Sequence, residues 1–193
     1  MNENLPIGRK DPAGPASSAA AAFGASAVAG GLLWAGKTLY DTLALGRGVD
    51  QGYAPTDPTD WIRFALPLLC IGGVLAAGFV RRRGWAACSI AGLVLIASYF
   101  AAETFLFGRS APYGLLLLFP GFVLSFAGAA GSFAAGGGRW YGLIAASAGV
   151  IVLTPFLQGA LVPEAEVFSM VAGQTLFALG WSGLGYAERR KEQ

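Results

Sequence analysis

The side chains in this sequence that could do chemistry are charged groups set inside long apolar stretches. Lys37 and Asp41 lie four residues apart, so on a helix they share one face. Arg63 begins a second apolar stretch, and Glu103 lies near the end of a third. A charge in an apolar environment is costly unless it is paired, so an unpaired charge there indicates a function. The sequence therefore predicts a polar cluster that comprises Lys37, Asp41, Arg63, Glu103, Gln158 and Gln174.

Two interpretations of this predicted cluster are open. In the first, Lys37, Asp41 and Glu103 line an outward-facing cavity that binds an ion, a proton or a small polar solute. In the second, which we favour, these groups lie close to the membrane surface and pair for packing alone. The pair would join Lys37 to Asp41 within one helix or Lys37 to Glu103 between helices. Either pair would lower the cost of placing these charges in lipid.

Several chemistries are excluded by residues that the sequence lacks. It contains no histidine, so it cannot supply an imidazole to a haem, to a His-containing zinc site or to a Ser-His triad. It also has no phosphate-binding loop, because the glycines at 136–138 are not followed by the Lys and Ser or Thr of that motif. We predict no catalytic residue, no cofactor and no metal. We also predict no nucleic-acid partner, since topology explains the basic residues.

The composition indicates that a lipid bilayer is the solvent of this chain. Of 193 residues, 55% are hydrophobic and 12% are charged, and the mean hydropathy is +0.58. A soluble domain has about 25% charged residues. The apolar residues come in blocks of about twenty, the length that crosses a bilayer core as an α-helix. A β-barrel would instead show alternating apolar and polar residues, so the sequence predicts an all-α integral membrane protein.

Turn and charge signals divide the chain into six predicted transmembrane helices joined by short loops. The predicted spans are residues 19–45, 61–80, 85–107, 112–135, 140–162 and 165–187. Residues 1–18 are polar and rich in proline, and they predict a disordered cytoplasmic tail. Residues 188–193 form a basic cytoplasmic tail. Everything between the two tails belongs to one transmembrane domain.

The basic residues predict which way the helices cross the membrane. With the N-terminus inside, the cytoplasmic side holds Arg9, Lys10, Arg81, Arg82, Arg83, Arg139, Arg189, Arg190 and Lys191. Only Arg47, Arg63 and Arg109 fall on the outer side, so the positive-inside rule places both termini in the cytoplasm. Arginine far outnumbers lysine and Ala and Gly are abundant, which is typical of a GC-rich prokaryotic genome. We therefore expect the protein in a prokaryotic plasma (inner) membrane.

A weak internal repeat predicts three two-helix units of the same orientation. Residues 27–33 of the first helix resemble residues 89–95 of the third and residues 147–153 of the fifth. Extended without gaps, the first match aligns Asp41 with Glu103 at the same depth. The two carboxylates of the predicted cluster would thus occupy equivalent places in two units.

Small residues and prolines predict how the helices pack and bend. Small residues four positions apart let helix backbones approach closely, and they recur as Ala27, Gly31 and Ala35, as Gly73 and Ala77, and as Ser125 and Ala129. A proline inside a helix removes a hydrogen bond and predicts a kink. Such prolines are Pro67, Pro120 and Pro155. Trp34 and Trp181 lie deep in their spans and predict packing between helices.

Three functional hypotheses from different classes follow. The first, which we favour, is a non-catalytic accessory or scaffold subunit of a larger membrane complex, with protein partners or further copies of this chain. The second is a small ion or polar-solute transporter or channel with an outward-facing charged cavity. The third is a lipid-modifying membrane enzyme that uses Asp41 and Glu103 as acid and base.

Overall fold

A computed structural model describes residues 15–44, 58–77, 83–106, 114–157 and 163–190. These residues form six α-helices, and none of them lies in a β-strand. The helices are α1 (Pro15–Leu43), α2 (Ala65–Ala76), α3 (Arg83–Phe105), α4 (Phe119–Ala134), α5 (Arg139–Leu153) and α6 (Pro163–Arg190). Together with their adjoining turns, all six are long and apolar enough to cross a membrane. The prediction of an all-helical fold is confirmed for the described residues, and so is the prediction of six helices long and apolar enough to cross a membrane.

Prolines lie near the ends of three of the α-helices. A 3₁₀ turn (Pro58–Ile62) precedes α2, a π-helical turn (Gly114–Leu118) precedes α4, and a 3₁₀ turn (Thr154–Leu157) follows α5. Pro67 and Pro120 occupy the first turns of α2 and α4, and Pro155 lies in the turn after α5. The first turn of a helix has no internal partner for its N–H groups, so it tolerates proline. The three prolines thus lie at or just beyond the ends of the α-helical segments, next to 3₁₀ or π-helical turns, and kinks at these positions stay a prediction.

The first and last helices, α1 and α6, extend into the predicted tails. α1 begins at Pro15, so residues 15–18 are helical and not disordered as predicted, and proline is favourable at a first helical position. α6 continues to Arg190, where two arginines in the last turn complement the helix dipole. Residues 188–190 of the predicted tail are thus helical as well. The remaining tail residues, 1–14 and 191–193, lie outside the described residues, as does Gln158.

Each helix packs against the next one along the chain, and α6 returns to contact α1 and α2. The closest approaches occur at glycines. A Cβ on Gly31 of α1 would overlap the carbonyl oxygen of Ala178 on α6, and a Cβ on Gly92 of α3 would overlap the Ser125 side chain on α4. The small residues that predicted close packing are buried, except for the half-buried Ala77 at the end of α2. This prediction is largely confirmed.

Aromatic rings fill the centre of the bundle. Trp34 of α1 contacts the Phe100 ring of α3 and the Phe177 ring of α6, with ring centroids 5.9 and 5.6 Å apart. Phe177 also contacts Phe122 of α4 at 5.2 Å and Trp181 at 6.1 Å. All five side chains are buried, as predicted for the two tryptophans. Edge-to-face contacts of this kind add to the energy of burial, so four helices are held together at this level.

Candidate functional site

The charged residues meet at the end of the bundle where α1 and α3 end and α2 begins. The 3₁₀ turn before α2 lies between these two helices and contributes a residue to the site. Five side chains form what we call the ion cluster: Lys37, Asp41, Asp60, Arg63 and Glu103. All five are buried, with exposed fractions between 5% and 8%. Three elements separated by long stretches of sequence thus place their charges in one buried region.

Lys37 bridges two carboxylates. Its Nζ atom lies 2.6 Å from Oδ1 of Asp41, one helical turn away on α1, and 2.6 Å from Oδ1 of Asp60 in the 3₁₀ turn. The first contact is the predicted pair within one helix. The second was not predicted, and it fixes the 3₁₀ turn against α1. The Tyr40 ring also lies near the ammonium group, with its centroid 5.8 Å from Nζ.

Arg63 joins the start of α2 to α3. Its Nη1 atom lies 3.1 Å from Oε2 of Glu103, and its Cζ atom lies 4.5 Å from the centre of the Phe100 ring. Thr104, next to Glu103, donates a hydrogen bond from its hydroxyl to the Asp60 carbonyl oxygen at 3.4 Å. The predicted bridge from Lys37 to Glu103 is therefore replaced, because Asp60 pairs with Lys37 and Arg63 pairs with Glu103.

The ion cluster is closely paired but not balanced in charge. Ion pairs repay the loss of hydration of buried charges only when their geometry is good. The two contacts of Lys37 are as short as strong charge-assisted hydrogen bonds, whereas the contact of Arg63 with Glu103, at 3.1 Å, has an ordinary hydrogen-bond length. The ion cluster nevertheless contains one more carboxylate than cation. The Oδ2 atom of Asp41 has no hydrogen-bond partner among the described residues. Asp41 thus has unused capacity to accept a hydrogen bond.

Gln174 lies apart from these ion pairs. It is 1% exposed, and neither its amide oxygen nor its amide nitrogen has a hydrogen-bond partner in the part of the chain that the structure describes. Close packing of Gly24 against Gly185 and of Gly31 against Ala178 sets the antiparallel register of α1 and α6. This register places Gln174 at about the level of Lys37. An unsatisfied buried amide is costly, so Gln174 needs an explanation beyond packing.

Sequence reasoning found four of the five residues of the ion cluster and missed Asp60. The predicted spans leave Asp60 in the segment between the first two helices. A usable signal was present, because Asp60 precedes Arg63 by three residues at the start of an apolar stretch and can turn with it toward the bundle. Gln158, the remaining member of the predicted polar cluster, lies outside the described residues.

The arrangement offers little for catalysis. Lys37 and Arg63 engage Asp41 and Glu103 directly, which makes both carboxylates poor candidates for an acid and base pair. Among the described residues, no group of three or more His, Cys, Asp or Glu side chains could hold a metal ion. Cys70 on α2 is buried and is not in a disulfide.

Comparison with known proteins assigns the chain to no group. No family model matches it, and neither a curated protein nor a solved structure is significantly similar to it.

Proposed function

We propose that this protein is a non-catalytic accessory or scaffold subunit of a larger membrane complex. The observation that carries the proposal is that the charged side chains buried at one end of the bundle contact one another and tie α1, α2 and α3 together. Such contacts hold helices in place and leave little reactive chemistry. The role of the protein then comes from what it assembles with.

The aromatic centre also supports a structural role. The Phe100 ring that lies beneath the Arg63 guanidinium contacts Trp34, and Trp34 contacts Phe177 of α6. These buried rings separate the ion cluster from the other end of the bundle. A continuous polar path through the bundle centre would have to pass them, and a packed aromatic layer opposes such a path.

The experiment that tests the proposal is purification of the tagged protein from native membranes in a mild detergent, followed by quantitative mass spectrometry. We expect at least one other membrane protein at a fixed stoichiometry. A tagged six-helix membrane protein of unrelated sequence, purified in parallel from the same membranes, identifies contaminants. Recovery of the chain alone, as one monodisperse species, would overturn the proposal.

A second candidate, transport of an ion or small polar solute, is favoured by the unsatisfied groups of the site. These include Oδ2 of Asp41 and both amide atoms of Gln174, none of which has a hydrogen-bond partner among the described residues. Reconstitution into vesicles tests this candidate with the variants Lys37→Met and Glu103→Gln. Solute or proton flux in the parent protein that both variants abolish would establish transport. A lipid-modifying enzyme has the least support, because Asp41 and Glu103 are engaged in ion pairs.

We also propose that the six helices are three parallel two-helix repeats. Support comes from equivalent contacts in the first two units: Gly30 of α1 packs against α2, and Gly92 of α3 packs against α4. The gapless alignment of residues 27–33 with 89–95 makes these two glycines equivalent. Replacement of each by leucine tests the proposal, and we expect similar losses of thermal stability at both positions.

For localisation we propose a prokaryotic plasma membrane with both termini in the cytoplasm. Support comes from the opposite end of the bundle from the ion cluster, which we call the basic end. There Arg83 and Arg139 begin α3 and α5, and Arg189 and Arg190 end α6, all with exposed side chains. Exposed basic residues favour the cytoplasmic side.

A further inference from the structure

Two exposed arginines flank the seam between α5 and α6 at the basic end. Arg139 is the first residue of α5, and its Cζ atom lies 5.2 Å from the centre of the Trp140 ring. Arg190 is the last residue of α6, and its Cζ atom lies 5.5 Å from the centre of the Tyr186 ring. Each guanidinium therefore lies over an aromatic ring of its own helix, in the geometry of a cation–π contact.

The packing of α5 against α6 brings the two pairs to the same seam. Gly183 of α6 lies directly against the Trp140 ring, which a Cβ at this position would overlap. Tyr186 and Arg190 follow Gly183 by three and seven residues, so all three lie on one face of α6. The Arg190 side chain turns back over Tyr186, one turn earlier in the helix. This turn moves its guanidinium toward the level of Arg139.

The chemistry of the seam fits a phosphate at the membrane surface. Guanidinium groups bind phosphate oxygens in pairs of parallel hydrogen bonds. Tryptophan and tyrosine rings prefer the headgroup region, where one side of the ring is apolar and the other is wet. The Tyr186 side chain is 51% exposed, so an aromatic surface lies beside Arg190 on the outside of the bundle. A free phosphate ion would make no use of that surface.

We propose that the seam between α5 and α6 binds the headgroup of an anionic phospholipid. The phosphate lies between Arg139 and Arg190, and the adjoining acyl chains lie against Tyr186 and the apolar residues that follow the seam toward the membrane centre. Basic sites between helices on the cytoplasmic side of a membrane are known to hold anionic lipids. This inference does not depend on the proposed subunit role, because it concerns the lipid partner of the bundle.

The seam between α3 and α4 supplies a matched control. There Trp85 lies against Gly131 of α4 just as Trp140 lies against Gly183, and Arg83 is exposed at the start of α3. α4 ends at Ala134, however, and contributes no basic residue to its seam within the described residues. Among the described residues this second seam has one arginine where the α5–α6 seam has two, so of these two seams the α5–α6 seam is the one whose described residues can hold a phosphate from both sides.

The test is titration of the delipidated protein in detergent with phosphatidylglycerol, followed by native mass spectrometry, with phosphatidylcholine as the reference lipid. One basic residue near a membrane surface contributes about 1 kcal/mol, which is about a fivefold change in affinity. We therefore expect R139Q and R190Q each to weaken phosphatidylglycerol binding about fivefold, and the double variant about 25-fold. R83Q should leave the affinity within about twofold.

Three results would overturn the proposal. The first is an equal loss in R83Q, which would show that total charge and not the seam attracts the lipid. The second is competition by inorganic phosphate at concentrations near that of the lipid, which would show that the seam recognises a free anion. The third is unchanged binding in the double variant while gel filtration and the apparent Tm show that it is folded. The variant R139K/R190K keeps the charge without the paired hydrogen bonds, and we expect an intermediate affinity.

Discussion

Lys37 is the residue whose removal should destabilise the bundle most specifically. Its Nζ atom lies 2.6 Å from carboxylate oxygens of both Asp41 and Asp60, and the side chains are only 6–7% exposed. At an effective dielectric constant of about 20, each contact corresponds to a Coulomb energy of about 6 kcal/mol. The lost hydration of the buried charges offsets most of this energy. The substitution Lys37→Met removes the attraction and leaves two carboxylates buried without their shared cation.

Breaking a buried pair by removing one partner costs about 3–5 kcal/mol. At about 2–4 °C for each kcal/mol in a chain of this size, we expect the apparent Tm of the Lys37→Met variant to fall by about 6–20 °C. Thermal unfolding in detergent, followed by tryptophan fluorescence or by gel filtration after heating, measures the shift. Because such unfolding is often irreversible, all variants need the same heating rate.

Two controls make the result interpretable. The variant Arg83→Met removes an exposed base at the other end of the bundle, and it should shift the free energy of unfolding by no more than about 0.5 kcal/mol. The triple variant with Lys37→Met, Asp41→Asn and Asp60→Asn removes all three charges, and it should recover most of the lost stability. A loss below about 1 kcal/mol for Lys37→Met alone would refute the reasoning, since it would mean that water reaches the charges.

Three further predictions concern packing, the second ion pair and topology. Gly31→Ala adds a Cβ that overlaps α6, and it should lower the free energy of unfolding by about 1–3 kcal/mol in the same thermal assay. Gly36→Ala is the matched control, because its Cβ meets no atom within 4 Å. It should leave stability unchanged or raise it by up to about 1 kcal/mol. Arg63→Lys keeps the charge but loses the planar guanidinium that lies over the Phe100 ring, so we expect the free energy of unfolding to fall by about 1–2 kcal/mol. An unchanged stability would show that the positive charge alone suffices. In spheroplasts, a membrane-impermeant maleimide should label a cysteine at Thr59 but label one at Gly138 only after permeabilisation, and the reverse pattern would invert the proposed orientation.

The helices could be predicted well because the bilayer imposes a simple rule on them. A helix that crosses lipid needs about twenty apolar residues, and that signal is strong in a single sequence. The residues at which the helices begin and end were harder to predict. Pro15 begins α1 within a stretch whose composition predicts disorder. Residues 58–62, at the start of the second predicted span, form a 3₁₀ turn before α2. Pro15 and Pro58 stand at the starts of α1 and of the turn before α2, and hydropathy carries no information on such proline placement.

The ion cluster was only partly predictable because pairing depends on which helices touch. The spacing of Lys37 and Asp41 was sufficient to predict their contact, since both lie on one helix. The spacing of Asp60 and Arg63 indicates that Asp60 can face the bundle, but its contact with Lys37 also depends on the path of the link between α1 and α2. Glu103 was predicted to meet Lys37, but its partner is Arg63 because α2 lies beside α3.

The order of the charges along the chain has a consequence for how the protein is made. When α1 enters the membrane, Lys37 and Asp41 can pair only with each other, and charged residues within a span oppose insertion. Asp60 follows Lys37 by 23 residues, and Glu103 follows Arg63 by 40. Each later segment thus adds a carboxylate to a cation that an earlier part of the chain has already placed in the membrane. We therefore expect α1, which carries its own ion pair, to insert without α2, and we expect Arg63 to reach Glu103 only after α3 has entered.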